Sequence, residues 1–324
     1  MADRTSPIAG AVIVASAAAM FGMLAPVTRF SYALGLAPFA FITWRSMVGM
    51  VAAGGVMGTR ISRERRAVAG GADLAPRGHT GPRAVAALTA AGLGGFLVNI
   101  GMFIAFQRIP VALVLLTFYT YPALVAIVAV VLGRERMNRT KALALLLASA
   151  GAVGVVASGS GVGGLAQLDA LGIGLALMAA LGQTVFVTVS REGFPTIRTD
   201  EAMTFVLALI AVLGAGTAVA VGTGDSLALP FAKPELLALL VFAGLFTAAI
   251  PSLLLLVGIR RLGGMRAGIL MLIEPLVGVI LAALLLSEPI APAQLIGGLA
   301  ILAAAVLLTR APLDAMDAVA QAVP

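Results

Sequence analysis

Ten apolar stretches, each close to twenty residues long, dominate this sequence. A bilayer core of about 30 Å requires about 20 apolar residues per helix, and in lipid a helix satisfies its own backbone hydrogen bonds. Apolar residue types make up 61% of the chain and charged types only 11%, which excludes the soluble classes. The sequence therefore predicts an all-α membrane protein with ten transmembrane helices, at residues 8–27, 38–57, 84–106, 111–132, 142–158, 170–189, 202–221, 236–259, 267–286 and 293–308.

Lysine and arginine residues predict how these helices are oriented. With a cytoplasmic N-terminus, 17 of the 21 basic residues fall in cytoplasmic loops or termini, three fall outside, and Arg45 lies within a span. This bias follows the positive-inside rule. We therefore expect a multi-pass protein of the cell inner membrane with both termini in the cytoplasm, and we assign the net charge of +7 to orientation rather than to nucleic-acid binding. The basic segment 58–83 is expected to be a poorly ordered cytoplasmic loop, which orients the chain or, alternatively, attracts anionic lipid headgroups.

An internal repeat divides the chain into two halves. A shift of 153 residues places Arg108 on Arg261, Pro122 on Pro275, and Glu135 on Glu288. Five spans per half is an odd number, so the second half enters the membrane from the opposite side. Such inverted repeats are typical of transporters that work by alternating access, with substrate bound near the midplane. The predicted organisation is a first repeat at 1–158, a linker at 159–169, a second repeat at 170–310 and a cytoplasmic tail at 311–324.

Two stretches resemble the ends of EamA-type domains of the drug/metabolite transporter superfamily. They are Tyr119–Val155 and Met271–Leu308, which share an early proline, a short apolar run ending in Glu, and a helix rich in small residues. The resemblance covers nearly the whole chain as two tandem copies and is weaker in the first span. It implies ten helices, small organic solutes and usually export. The Leu-Ile-Glu-Pro of the second copy is similar to the branch that exports amino acids and related metabolites.

Two ionisable residues within spans are functional candidates, because charges in a membrane interior are costly. Glu274, directly before Pro275, would exchange a proton or bind a substrate amine; the alternative is a structural carboxyl. Arg45, beside Trp44, would bind a substrate carboxylate or pair with Glu274. Alternatively, its side chain reaches the outer interface, with Trp44 in the aromatic belt.

Other polar residues in the spans would line the substrate pathway or hydrogen-bond between helices. They are Asn99, Tyr119, Tyr121, Gln183, Thr184 and Thr188, with Tyr121 equivalent to Glu274 in the repeat. Prolines at three positions are either gating points or tolerated kinks, namely Pro122, Pro251 and Pro275. Glu135 and Glu288, which mark the repeat, are expected to be structural.

Missing residue types narrow the function further. The chain has no cysteine and one histidine, His79, so we expect no metal site, no cofactor and no enzymatic activity. The expected partners are a small-molecule substrate and membrane lipids, in a monomer or weak homodimer. Three functions remain: a secondary exporter coupled to protons, a facilitator driven by the solute gradient alone, and a lipid-handling protein.

Overall fold

The computed structural model describes residues 7–70, 80–109, 111–159, 169–192, 194–286 and 290–310. Within these ranges the chain is helical and contains no strand. A 3₁₀ turn lies at Gly224–Leu227 and a π-helical turn at Leu245–Ala249. The α-helices are α1 (Pro7–Gly22), α2 (Leu24–Ala33), α3 (Pro38–Ala69), α4 (Pro82–Arg108), α5 (Val111–Phe118), α6 (Tyr121–Val131), α7 (Arg139–Gly159), α8 (Ala170–Glu192), α9 (Thr199–Ala220), α10 (Leu229–Ala232), α11 (Pro234–Gly244), α12 (Ile250–Leu262), α13 (Gly264–Met271), α14 (Ile273–Leu286) and α15 (Pro292–Arg310).

Eight helical stretches in the described part of the chain are long and apolar enough to cross a membrane. They are Ile8–Ala33, Pro38–Ala69, Pro82–Ala105, Val114–Val131, Ala170–Arg191, Thr199–Ala220, Pro234–Leu262 and Gly264–Leu281. Large apolar side chains also cover the outside of the bundle, where Val212 is 68% exposed and Leu284 74% exposed. An apolar exterior fits a lipid environment, so the all-α, multi-pass membrane class is confirmed. The count of ten stays a prediction, for which α7 and α15 are the two further candidates.

The helix pairings are those expected if a two-fold axis exchanges the halves. Helix α4 packs on α8, and their counterparts α12 and α1 pack on each other. Helices α3 and α7 pack on their own counterparts, α9 and α15. In the fourth helix of each half, α6 of the first half packs on α13 of the second. The contact of α6 with α13 brings together the fourth helix of each half at the centre of the bundle.

Both of these central helices are broken at equivalent positions. In the first half, α5 ends at Phe118 and the chain becomes helical again at Tyr121, where α6 begins. In the second half, α13 ends at Met271 and α14 begins at Ile273. Phe118 and Met271 are 153 residues apart, the same shift that relates the repeats. A proline follows each break, at Pro122 and Pro275, where the missing N–H prevents the helix from continuing its hydrogen bonds.

Helix α3 corrects one expectation from the sequence. It continues to Ala69, so residues 58–69 are helical and not part of a poorly ordered loop; residues 71–79, including His79, lie outside the described residues. The guanidinium of Arg60 joins this helical extension to the first turn of α9 through Asp200 (2.6 Å) and Glu201 (2.7 Å). These carboxylates are about 140 residues away in sequence, so no local pattern indicated them.

Glycines permit the closest helix approaches. A Cβ added to Gly151 of α7 would lie 2.5 Å from the carbonyl oxygen of Gly297 in α15. A Cβ on Gly94 of α4 would lie 2.6 Å from the carbonyl oxygen of Gly182 in α8. At Gly174, by contrast, a Cβ would meet no atom within 4 Å. Glycines such as Gly151 and Gly94 let the backbones of two helices pack directly, as is typical of helix pairs in membranes.

Candidate functional site

Arg45 lies inside the bundle, with only 7% of its surface exposed. Its Nη2 donates to Asn99 Oδ1 at 3.0 Å, and its Nη1 donates to the Thr247 carbonyl oxygen at 2.6 Å. The guanidinium therefore turns inward, towards α4 and the π-helical turn, instead of reaching the outer interface. The structure brings Arg45 and Asn99 into direct contact and adds Thr247, which the sequence analysis did not single out.

A proline explains why the Thr247 carbonyl is available. In a regular helix this oxygen would accept from the N–H of the residue four positions later, which here is Pro251 and has no N–H. The π-helical turn at Leu245–Ala249 lies just before this proline. Pro251 thus frees a backbone acceptor inside the membrane, and the Arg45 guanidinium uses it.

Both partners of Arg45 are themselves held in place. Asn99 Nδ2 donates to the Gly95 carbonyl oxygen at 2.7 Å, which directs Asn99 Oδ1 towards the guanidinium. The Thr247 hydroxyl donates to the Ala243 carbonyl oxygen at 2.7 Å. The Asn99 side chain that accepts from Arg45 is therefore held by its own helix.

Arg45 has no carboxylate partner among the described residues. The interactions of its guanidinium are the two hydrogen bonds above and longer-range electrostatic interactions with Tyr32 and Glu274. Its Nε is buried and reaches no hydrogen-bond acceptor in the same part of the chain. The Arg45–Glu274 pairing considered above is therefore an interaction across a distance and not an ion pair within 4.0 Å.

Tyr32 is a site residue that the sequence analysis missed. It lies in α2, beyond the first apolar stretch, and its ring packs edge-on against Phe41 and Phe103, with centroids 6.2 Å and 6.4 Å away. Its hydroxyl is buried without a hydrogen-bond partner in the described residues, and it interacts electrostatically with Arg45. The available signal was its rarity, since the chain has only three tyrosines.

Glu274 occupies the first turn of α14, directly after the central break. Its side chain forms no hydrogen bond or ion pair with any described residue and interacts electrostatically with Arg45, Tyr119 and Tyr121. Helix α1 packs on its backbone, because a Cβ on Gly22 would lie 2.9 Å from the Glu274 carbonyl oxygen. A carboxylate at a helix N-terminus is favoured by the helix dipole.

Tyr119 lies within the equivalent break of the first half, and Tyr121 is the first residue of the helix after it. They are 8% and 1% exposed, and both rings contact Phe118, with centroids 5.5 Å and 5.2 Å away. The Tyr121 ring also approaches Gly268 of α13, where an added Cβ would be 3.8 Å from it. Tyr121 and Glu274, which occupy equivalent positions in the two repeats, also interact electrostatically with each other.

Several predicted residues lie away from this cluster. Trp44 donates its Nε1 hydrogen to the Leu227 carbonyl oxygen at 3.0 Å and packs edge-on against Phe231, so it faces the 222–233 connection. Thr184 donates to the Ala180 carbonyl oxygen of its own helix at 2.8 Å. Gln183, half-buried on the same helix, forms no contact that places it with Arg45 or Glu274.

Thr188 belongs to a second buried cluster, centred on Glu135. The Glu135 carboxylate, 3% exposed, accepts from Arg191 Nη1 and from the Met265 backbone N–H (3.3 Å), and it lies 3.7 Å from Lys141 Nζ. Arg134 donates to the Thr188 carbonyl oxygen at 2.9 Å. One carboxylate thus ties the end of α6 to α7, α8 and α13, which supports the structural role expected for Glu135. Glu288 lies outside the described residues, as do most of the predicted linker and the tail.

No group of three or more acidic or histidine residues suited to a metal ion occurs in the described ranges. The candidate site instead consists of charged side chains and tyrosine hydroxyls on helices of both halves. It combines the Arg45 guanidinium and the Glu274 carboxyl, which interact electrostatically with each other, with the phenols of Tyr32, Tyr119 and Tyr121. Such a set can bind a small polar solute through charge and hydrogen bonding.

Comparisons with known proteins agree with this architecture. The model of the EamA-like transporter family matches residues 8–157 and again residues 170–310. A crystal structure of a protein 20% identical in sequence superimposes with a TM-score of 0.72, covering 94% of this chain and 98% of its own. A search of curated proteins gives no significant match. The two tandem matches cover most of the sequence, and the chain belongs to the EamA-like transporter family.

Proposed function

We propose that this protein is a secondary transporter that exports small organic metabolites, amino acids or related compounds, across the inner membrane by alternating access. Glu274 is the observation that carries the proposal. It is an ionisable group at the break of a central helix, with no hydrogen bond or ion pair to any described residue, and it interacts electrostatically with Arg45 and two tyrosines of the other half. An intramembrane charge of this kind marks a substrate or ion pathway.

The proposed topology is ten transmembrane helices in two inverted five-helix repeats, with both termini in the cytoplasm. Helices α7 and α15 supply the two spans beyond the eight identified by length and hydropathy, and they pack on each other. The two-fold pattern of helix pairings and the distribution of basic residues support this arrangement. Two halves of equal fold can exchange roles, so that the central site opens to one side at a time.

Glu274 gives this cycle a route for proton coupling. A solute ammonium and a proton both neutralise the same carboxylate, so each displaces the other. A proton that arrives from the outer side releases the solute there, and a solute that arrives from the cytoplasm releases the proton inside. Export of the solute is then driven by proton entry.

Transport in reconstituted liposomes tests the proposal. Proteoliposomes would be assayed for uptake and efflux of labelled amino acids and toxic amines under an imposed pH gradient. We expect pH-driven flux in the natural protein and its loss in Glu274→Gln, with solute exchange retained. Glu235→Gln, an exposed carboxyl in the first turn of α11, is the matched control and should keep pH-driven flux.

The same assay separates the exporter from a facilitator. A facilitator would follow the solute gradient and ignore the pH jump, and it would leave Glu274 with a binding role only. If Glu274→Gln transports solute against its gradient as well as the natural protein does, Glu274 is not the coupling group.

A further inference from the structure

We infer that Arg45, held in place by Asn99 and the Thr247 carbonyl, forms a binding site for a carboxylate together with the Tyr32 hydroxyl, and that the transported solutes therefore carry a free carboxyl group. The inference rests on the proposed function and narrows it. Amino acids and other carboxylic acids are substrates, whereas the corresponding amines and amides are poor ones.

The charge of Arg45 is the first step of the argument. The guanidinium is 7% exposed, and the groups that touch it, the Asn99 amide and a backbone carbonyl, are neutral. Neutral acceptors orient a cation without cancelling its charge. A buried cation in a low-dielectric interior is strongly unfavourable without an anion beside it. No carboxylate of the described residues lies at that distance, so the anion is supplied by the solute.

The geometry of the hydrogen-bond donors is the second step. A guanidinium has five N–H groups in a rigid fork that matches a carboxylate. Two of its nitrogens are anchored by Asn99 and by the π-helical turn, so the fork is held from two sides, while the buried Nε has no acceptor among the described residues. An anchored guanidinium with unused donors can bind a carboxylate without first being reorganised.

Tyr32 is the third and independent observation. Its hydroxyl is buried, reaches no partner in the described part of the chain, and is close enough to Arg45 for an electrostatic interaction. A buried hydroxyl without a hydrogen bond is unfavourable, and a carboxylate between Tyr32 and Arg45 would accept from both. Tyr32 on α2 and Arg45 on α3 thus each have a buried donor that reaches no acceptor in the described part of the chain, and the proposed anion would accept from both.

Glu274 gives the solute its orientation. It interacts with Arg45 across a distance and belongs to the other half, so a zwitterion would place its carboxylate at Arg45 and its ammonium at Glu274. Each residue also offsets part of the other's charge, which lowers the free-energy cost of burying both charges between transport cycles. The alternative role for Arg45 is purely structural, as a tie between α3, α4 and the π-helical turn.

A series of related solutes tests the inference in the natural protein. Leucine, leucinamide, 3-methylbutylamine and 4-methylpentanoate share one side chain and differ in the carboxyl and amino groups, and the phenylalanine series repeats the comparison with an aromatic side chain. Binding would be measured by thermal stabilisation of the purified protein, and transport by counterflow in proteoliposomes. We expect the free acids to bind about 10- to 100-fold more tightly than the amide or the amine, as a lost charge-assisted hydrogen bond implies.

Three variants locate the effect. Arg45→Gln should remove the preference for the free acid, and Tyr32→Phe should reduce it several-fold. Arg45→Lys, which keeps the charge but not the fork, should retain part of it. Arg29→Gln, an exposed arginine on the same helix as Tyr32, is the control and should behave as the natural protein does.

The outcomes separate the two proposals. If amides and amines bind and are transported as well as the acids, Arg45 is structural and the inference is wrong, while proton-coupled export through Glu274 still stands. If no solute in the series is transported under any gradient, both proposals fail. If Arg45→Gln does not fold, the comparison of acid, amide and amine in the natural protein still decides.

Discussion

Glu135→Gln removes one charge from a buried cluster that joins four helices in the described part of the chain. The carboxylate accepts from Arg191 and from the Met265 backbone and faces Lys141. The side chains of Lys141, Arg191 and Glu135 are 0%, 5% and 1% exposed. Glutamine keeps the shape and one acceptor oxygen, but it leaves two buried cations without their common anion.

The expected loss of stability follows from this burial. Removing one partner of a buried ion pair lowers the free energy of unfolding by about 3–5 kcal/mol, because a buried charge loses the opposite charge beside it. The same substitution at Glu64 is the control. Glu64 is 25% exposed and shares Arg60 with Asp200 and Glu201, so Glu64→Gln should lower the free energy of unfolding by at most about 1 kcal/mol.

Unfolding by SDS in mixed micelles, followed by the fluorescence of Trp44, the only tryptophan, measures both variants under one condition. The reasoning predicts a clear gap between them. Equal destabilisation by Glu135→Gln and Glu64→Gln, or no loss at Glu135, would show that the cluster is solvated and does not hold the two halves together. Arg191→Gln should behave like Glu135→Gln, and the double variant should lose less than the sum of the two.

Two further predictions concern packing and movement between helices. Gly151→Ala should lower the free energy of unfolding by about 1–3 kcal/mol, since its Cβ would meet a backbone oxygen at 2.5 Å. Gly174→Ala, whose Cβ would meet no atom within 4 Å, should raise the free energy of unfolding by about 0.5–1 kcal/mol. The opposite order of the two variants in thermal melts would contradict the contacts described. Val125→Cys with Gly264→Cys should form a disulfide between α6 and α13, because a Cβ on Gly264 lies 3.4 Å from Val125 Cγ1. The chain has no natural cysteine, so any effect of oxidation would come from this pair alone. We expect transport to be lost on oxidation and recovered on reduction. Unchanged transport in the oxidised protein would show that the two halves do not separate at this contact.

The apolar stretches and the repeat were sufficient to predict the class of protein. The all-α membrane class and the EamA resemblance are confirmed, and a helix break occurs next to the repeat's proline in each half. These features are local or periodic in the chain, so they can be read without knowledge of contacts. The segment 58–69 was predicted wrongly as a loop, because its neighbours in sequence are mostly basic and indicated a solvated, charged segment. The acids of α9 that neutralise Arg60 are distant in sequence, so no local pattern indicated them.

The sequence by itself determined that the chain lies in a membrane, that it is built as two copies, and that Arg45 and Glu274 are the costly charges within its spans. Only the tertiary structure decided what those charges face. The partners of Arg45 are 54 and 202 residues away, and Tyr32 is on a different helix. In a membrane the lipid outside is as apolar as the protein inside. Uniformly apolar helices therefore carry no periodic signal for their inward face, and which side chains meet depends on how the helices pack.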